Sequence, residues 1–126
     1  VNALQSCDTV MIHDGARPFV SQALIQRLLQ AAKTHAAVIP GVAISDTVKE
    51  VAGEKVLRTI DRGALRAIQT PQLFSYSLLQ RAYSEVDSAA TDESMLIEAV
   101  GEPVCVVEGD FDNIKITHPQ DLNIVG

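Results

Sequence analysis

Residues 37–44, AVIPGVAI, are apolar throughout and rich in β-branched side chains, with Pro40 and Gly41 as the irregularity. A run of this kind is a buried strand broken at one point. A helical pattern precedes it. Ser21 suits an N-cap, and Leu24, Leu28 and Ala31 with Ala32 recur at helical spacing beside Ile25 and Leu29, to about His35. Before that stands a shorter apolar run, TVMI at residues 9–12, which reads as a buried strand. Strand, helix and strand in this order constrain the chain to the α/β class with a mostly parallel sheet. Ligands in such sheets sit beyond the carboxyl ends of the strands.

The rest of the chain continues the alternation. Residues 46–51 (DTVKEV) and 55–60 (KVLRTI) flank a turn-like Ala52-Gly53-Glu54, a hairpin signal. Neither strand is apolar enough for the centre of a core, so residues from about 45 to 62 form a projecting β-arm. Ser75 caps a second helix with Leu78, Leu79, Ala82, Tyr83 and Val86 inward. Thr91 caps a third, residues 92–100, with Asp92 and Glu93 in its first turn and Gly101 at its end. Residues 104–107 and 113–117 read as strands, and His118-Pro119 opens a last helix.

Composition narrows the function. The 126 residues suit one domain or a large part of one. A formal net charge of −6 with 4% aromatics argues against a nucleic-acid surface, an anionic membrane or a base-stacking platform. No apolar run nears the roughly 20 residues of a membrane span, and no signal peptide is visible, so the chain is expected to be cytoplasmic. Cys7 and Cys105 lie far apart in apolar contexts and are expected to be free thiols. His13, His35 and His118 show no ligand spacing, so no protein-made metal cage is expected.

The residues that could carry chemistry cluster at strand ends. Asp14 and Arg17 follow the first strand in HDGARPF, with Gly15 allowing close backbone approach to a ligand. Arg17 suits a phosphate or carboxylate, and Asp14 suits a sugar hydroxyl or a place near a cation; a turn cap and an Asp14–Arg17 pair remain equally open. Lys115 in NIKIT is either a cation aimed at an anion or a solvated edge residue. Arg62 beside Asp61 is either a ligand or a local ion pair. Thr70 in QTPQ precedes a proline and is therefore extended. No Ser–His or Cys–His pair and no GxSxG motif stands out.

Taken in order, HDGARPF, DTVKEV, TIDRGALRAIQTPQLF, TDES and NIKITHPQDL resemble the C-terminal part of the 2-C-methyl-D-erythritol 4-phosphate cytidylyltransferase family. The resemblance runs from Val1 to Leu122. It implies a Rossmann-like nucleotide-diphosphosugar transferase fold with a β-arm used in homodimerisation. It also implies transfer of CMP from CTP to methylerythritol phosphate, giving CDP-methylerythritol and pyrophosphate, with a divalent cation, magnesium, held mainly by the CTP phosphates. By motif match, Asp14 and Arg17 belong at the substrate and nucleotide. Thr47 and Arg62 reach the sugar phosphate of the partner subunit, and Thr70 and Lys115 lie at the methylerythritol phosphate site. Arg17 and Lys115 are the expected catalytic cations.

The family's glycine-rich phosphate loop lies upstream of the matched motifs. The chain is therefore expected to be the C-terminal portion of a single domain whose N-terminal nucleotide-binding half is missing, and to be inactive alone. Two alternatives stand beside this reading: the related ribitol-5-phosphate cytidylyltransferase, and a non-catalytic fragment that only dimerises.

Overall fold

A computed structural model describes residues 9–85 and 93–117. The expected roles of Cys7, Val86, Thr91, Asp92, His118 and Pro119 lie outside those residues. The elements are β1 (Thr9–Ile12), α1 (Gln22–Ala32), β2 (Ala37–Ala43), β3 (Val48–Ala52), β4 (Lys55–Ile60), β5 (Arg66–Ile68), β6 (Gln72–Ser75), α2 (Tyr76–Glu85), α3 (Glu93–Ala99) and β7 (Cys105–Glu108). The α/β class is as expected.

One five-stranded sheet carries the core. β2 is its spine, with β7 parallel on one edge and β5 and β6 antiparallel on the other. β1 pairs antiparallel with β6. The helix-linked strands β1, β2 and β7 thus share a direction, as the strand–helix alternation predicts. β5 and β6 run against them, which makes the sheet mixed. These two strands were not legible in the sequence, because runs of three and four residues are too short to show a period.

β5 and β6 are one strand interrupted in the middle. Between the Val38–Leu73 and Gly41–Ile68 pairs, Ile39 and Pro40 of β2 face the four residues Gln69 to Gln72. Pro40 has no N–H to offer the ladder, so an irregularity opposite it costs little. Gln69 N–H still donates to the Pro40 carbonyl at 2.8 Å. The Thr70-Pro71 bond is cis. Thr70 is pushed out of the ladder at this point, and the pocket described below forms there.

Alternate residues of the two central strands feed two cores. Ala37, Ile39 and Phe74 pack with Leu78, Leu79 and Ala82 of α2 and Leu96 and Ile97 of α3. Val38 and Leu73 face the other way, onto Leu24 and Leu28 of α1. Helices thus cover both faces, the layering that a continuous apolar strand requires. Ser21 caps α1 as expected, its Oγ accepting the Leu24 N–H at 3.0 Å. Ser75 does the same for Leu78 of α2 at 3.2 Å. Gly101, at φ +83°, follows α3.

Four readings need correction. Residues 113–117 form no strand. Their backbone is held by local and loop contacts, Asn113 N–H to Asp110 O and Ile116 N–H to Ala16 O, with no neighbouring strand to pair with among the described residues. β1 is only half-buried, because it is an edge strand among the described residues. Tyr83 points outward and donates its hydroxyl to Glu93 at 2.8 Å. The helical conformation of α1 stops at Ala32, and Lys33 to His35 turn back through bonds to Gln30 and Ala31.

The hairpin is as the sequence indicates. Among the described residues β3 and β4 pair only with each other, around Gly53 at φ +58°. Val51, Val56 and Leu57 are each close to 60% exposed on it (58%, 58% and 59%). Cys105 is a free thiol, half-buried beside the α1 core. No helix among the described residues is long and apolar enough to cross a membrane.

Candidate active site

A cavity of about 350 Å³ opens at the carboxyl end of β1. Its lining includes His13, Asp14 and Arg17 from the loop after β1, Gln69 and Thr70 from the interruption between β5 and β6, Glu93 of α3, and Lys115. Four stretches distant in sequence therefore meet. Four of the six expected site residues, Asp14, Arg17, Thr70 and Lys115, are in this lining. Thr47 and Arg62 are not; both are exposed at the base of the arm.

The loop after β1 is closed by its own backbone. Arg17 N–H donates to the Asp14 carbonyl at 3.0 Å, and Ala16 N–H donates to Asp14 Oδ1 at 2.9 Å. This is the Asx-type turn that aspartate favours. The Asp14 and Arg17 side chains, however, take separate partners. Arg17 Nη1 donates to the Asn113 carbonyl at 2.7 Å. Asp14 Oδ2 lies 3.4 Å from Lys115 Nζ. The Ala16 N–H, and with it Lys115, holds the Asp14 carboxyl below its ordinary range against a desolvation penalty. Asp14 is thus an ionised acceptor between two cations. The Lys115–Asp14 pair is open to solvent and long, so it orients both groups more than it stabilises the fold.

Arg62 does not pair with Asp61. Its Nη1 donates to the Ser45 carbonyl, while Asp61 caps the following turn by accepting the Gly63 N–H at 3.0 Å. Arg62 therefore bridges the two ends of the arm.

Beneath the pocket lies a buried polar network that sequence reasoning missed. Gln69 donates from Nε2 to the Asp110 carbonyl at 2.8 Å and accepts the Asp110 N–H on Oε1 at 3.2 Å. Its side chain thereby does for Asp110 what a strand would do. Asn113, fully buried, donates from Nδ2 to the Thr70 carbonyl at 2.7 Å. Asp110 in turn accepts from Ser21 Oγ at 2.8 Å and pairs with Arg27 at 2.8 Å. The Ser21 hydroxyl thus caps α1 with its lone pair and anchors the loop with its hydrogen. Gly109 leaves room for this amide, since a Cβ would stand 2.6 Å from Gln69 Oε1 and force it to move. The only sequence signal for this network was amide side chains flanking apolar stretches, at QTPQ and DNIKI, which by itself does not separate buried amides from surface ones.

The network has a pH signature. Ser21, then Arg27, depress the Asp110 carboxyl below its ordinary 3.8. A depressed carboxylate adds stability that is fully present above its unfolded value and is lost as pH falls through the folded one. Asp110→Asn is therefore expected to lower the midpoint of thermal unfolding at pH 7 and to flatten the stability–pH curve below about pH 4. A scan of unfolding temperature between neutral and acid pH measures both; an unchanged acid limb would show that the carboxylate is not ionically anchored.

A cation and an anion side by side at a strand end, with a second cation opposite, suit an anionic substrate that also carries hydroxyls. The model of the family described as 2-C-methyl-D-erythritol 4-phosphate cytidylyltransferase matches residues 1–125. The enzyme of that name from Clostridioides difficile is 47% identical over 123 residues, covering 95% of this chain and 52% of its own length. That from Geobacillus thermodenitrificans is 47% identical over 125 residues, covering 97% and 55%. The crystal structure of the Thermus thermophilus enzyme superposes with a TM-score of 0.84 at 42% identity, covering 92% of this chain and 59% of that one. The chain spans about half the length of the curated relatives it matches. At this identity, and with the match running over nearly all its residues, the chain belongs to the 2-C-methyl-D-erythritol 4-phosphate cytidylyltransferase family.

Proposed function

We propose that the intact protein to which this chain belongs transfers CMP from CTP to 2-C-methyl-D-erythritol 4-phosphate, in the cytoplasm. One observation carries the reading: Asp14, Arg17, Thr70 and Lys115, from three separate stretches, line one cavity in a chain of this family. A phosphate oxygen of the sugar substrate attacks the α-phosphorus of CTP. One P–O bond forms, the bond to the β-phosphate breaks, and pyrophosphate leaves with the electron pair. The attacking oxygen is already anionic, so no protein nucleophile or base is needed. The work is to bring two polyanions together and to neutralise charge in the transition state.

Arg17 and Lys115 supply that charge at the acceptor. Lys115 is free to rotate from Asp14 onto a phosphate, because their contact is exposed and long. Arg17 is held more firmly through the Asn113 carbonyl. Asp14 Oδ2 then accepts from a substrate hydroxyl. Among the described residues no three His, Cys, Asp or Glu side chains gather as metal ligands. From the family membership, CTP is read as entering with a divalent cation on its own phosphates, with the Asp14 carboxylate in the same pocket.

The arm, residues 45–62, is read as the homodimer contact. Three exposed apolar residues on a hairpin that pairs with nothing else among the described residues support this, because a lone two-stranded hairpin is marginal in water. Arg62 and Thr47 then serve the partner's site. The full-length protein is expected to turn over methylerythritol phosphate with CTP. Release of pyrophosphate, measured with methylerythritol phosphate and ribitol 5-phosphate in parallel, tests this. Equal or greater turnover of the ribitol compound would overturn the substrate assignment. The 126-residue chain alone is expected to release none.

A further inference from the structure

His13 stands at the mouth of the pocket, yet both ring nitrogens are engaged by the protein. Nε2 lies 2.8 Å from the Arg17 carbonyl oxygen. Nδ1 lies 3.0 Å from Thr70 Oγ1. A carbonyl oxygen only accepts, so Nε2 carries the hydrogen. In the neutral ring Nδ1 is then an acceptor, and the Thr70 hydroxyl donates to it. The same Thr70 oxygen accepts the Asp14 N–H at 2.9 Å. The hydroxyl's one hydrogen and one of its two lone pairs are thereby committed inside the protein.

We infer that His13 is a positioning residue that fixes the polarity of Thr70, so that this hydroxyl meets the substrate only as an acceptor. The inference rests on the cytidylyltransferase reading for the identity of the substrate. Thr70 then receives a hydroxyl hydrogen of the sugar phosphate and presents no hydrogen to a phosphate oxygen. The phosphate is left to the cations. His13 also ties the Arg17 carbonyl directly, and through Thr70 the Asp14 N–H, so it steadies both ends of the turn that carries Asp14 and Arg17. It is neither a general base nor a ligand to the nucleotide, because no ring nitrogen remains for either task.

Two measurements in the full-length protein test this. The first needs no turnover. Nitrogen-15 spectra of the His13 ring in the substrate-free protein are expected to show a protonated Nε2 and an unprotonated Nδ1, the latter shifting on Thr70→Val. The opposite tautomer, or no response to Thr70→Val, overturns the inference. The second is kinetic and compares variants that keep one half of the ring's chemistry. Asparagine places an acceptor where Nδ1 stood, and glutamine places a donor where Nε2 stood. His13→Gln and His13→Ala are expected to raise KM for methylerythritol phosphate on the order of tenfold, the effect of one misdirected hydrogen bond, with KM for CTP changed by less than about twofold. His13→Asn is expected to recover most of the loss. In a Thr70→Val background none of the three is expected to raise that KM further.

A bracket with no role in polarity would make Asn no better than Gln, or would add to Thr70→Val, and either result overturns the inference. If His13→Ala fails to fold, the Asn–Gln comparison decides alone. A wild-type protein that turns over neither sugar phosphate would instead sink the proposed function, while the ring spectra would still decide the placement of His13.

Discussion

Lys115→Ala in the full-length protein is expected to lower kcat/KM for methylerythritol phosphate by roughly 30- to 1,000-fold, about 2–4 kcal/mol, the range for losing one preorganised charge on a developing anion. The structural reason is its position. Lys115 faces the pocket beside Asp14 and at its present distance makes only a weak pair with it. Solvent screens that pair, so its loss should change the unfolding free energy by less than about 1 kcal/mol. Kinetics and thermal melting on the same preparation separate the two effects. A large drop in melting temperature with proportionate loss of activity would make Lys115 a structural residue. Unchanged kcat/KM would remove it from the site.

The second large effect is a recovery. If the arm of one subunit completes the site of its neighbour, Arg62→Ala and Lys115→Ala homodimers are each nearly inactive at both sites, the first through the arm and the second through the pocket. Mixed after subunit exchange, they form hybrid dimers in which one site carries both defects and the other carries neither. Random pairing of symmetric subunits makes half the dimers hybrid, so activity should rise to about one quarter of wild type. The arm geometry motivates the experiment. Arg62 is exposed, holds the Ser45 carbonyl at the base of the hairpin, and is absent from the lining of its own subunit's pocket. Failure to recover, with exchange proven by mass spectrometry of differently tagged subunits, would return Arg62 to its own site and end the shared-site model.

The two predictions differ in what they need. Lys115 lines the pocket that the chain itself builds, so the effect expected of it is local. The effect expected of Arg62 requires a second copy and depends on the proposed two-fold relation between arms. A dimer that survives loss of the exposed Val51, Val56 and Leu57 side chains would weaken the second prediction without touching the first.

Local chemistry made much of this molecule readable from its sequence. The N-caps at Ser21 and Ser75, the Gly53 turn and the apolar run of β2 are each decided by a few neighbouring residues. Asp14, Arg17, Thr70 and Lys115 were legible as candidates because they sit in motifs at the ends of elements. The family resemblance, with its order of motifs, led to the same residues.

What stayed hidden depends on pairing across the chain. β5 and β6 are short, and the interruption between them follows from Pro40 on the opposite strand. Residues 113–117 alternate as a strand does, but a strand needs an edge to pair with, and here the backbone bonds of Asn113 and Ile116 go to Asp110 and Ala16. The same fact turned Asn113 inward to hold the Arg17 guanidinium and the Thr70 carbonyl. Side-chain roles therefore came from the residue types and their local motifs. Their partners came from the tertiary fold, because hydrogen bonds between residues 41 to 96 positions apart exist only once the sheet has brought them together.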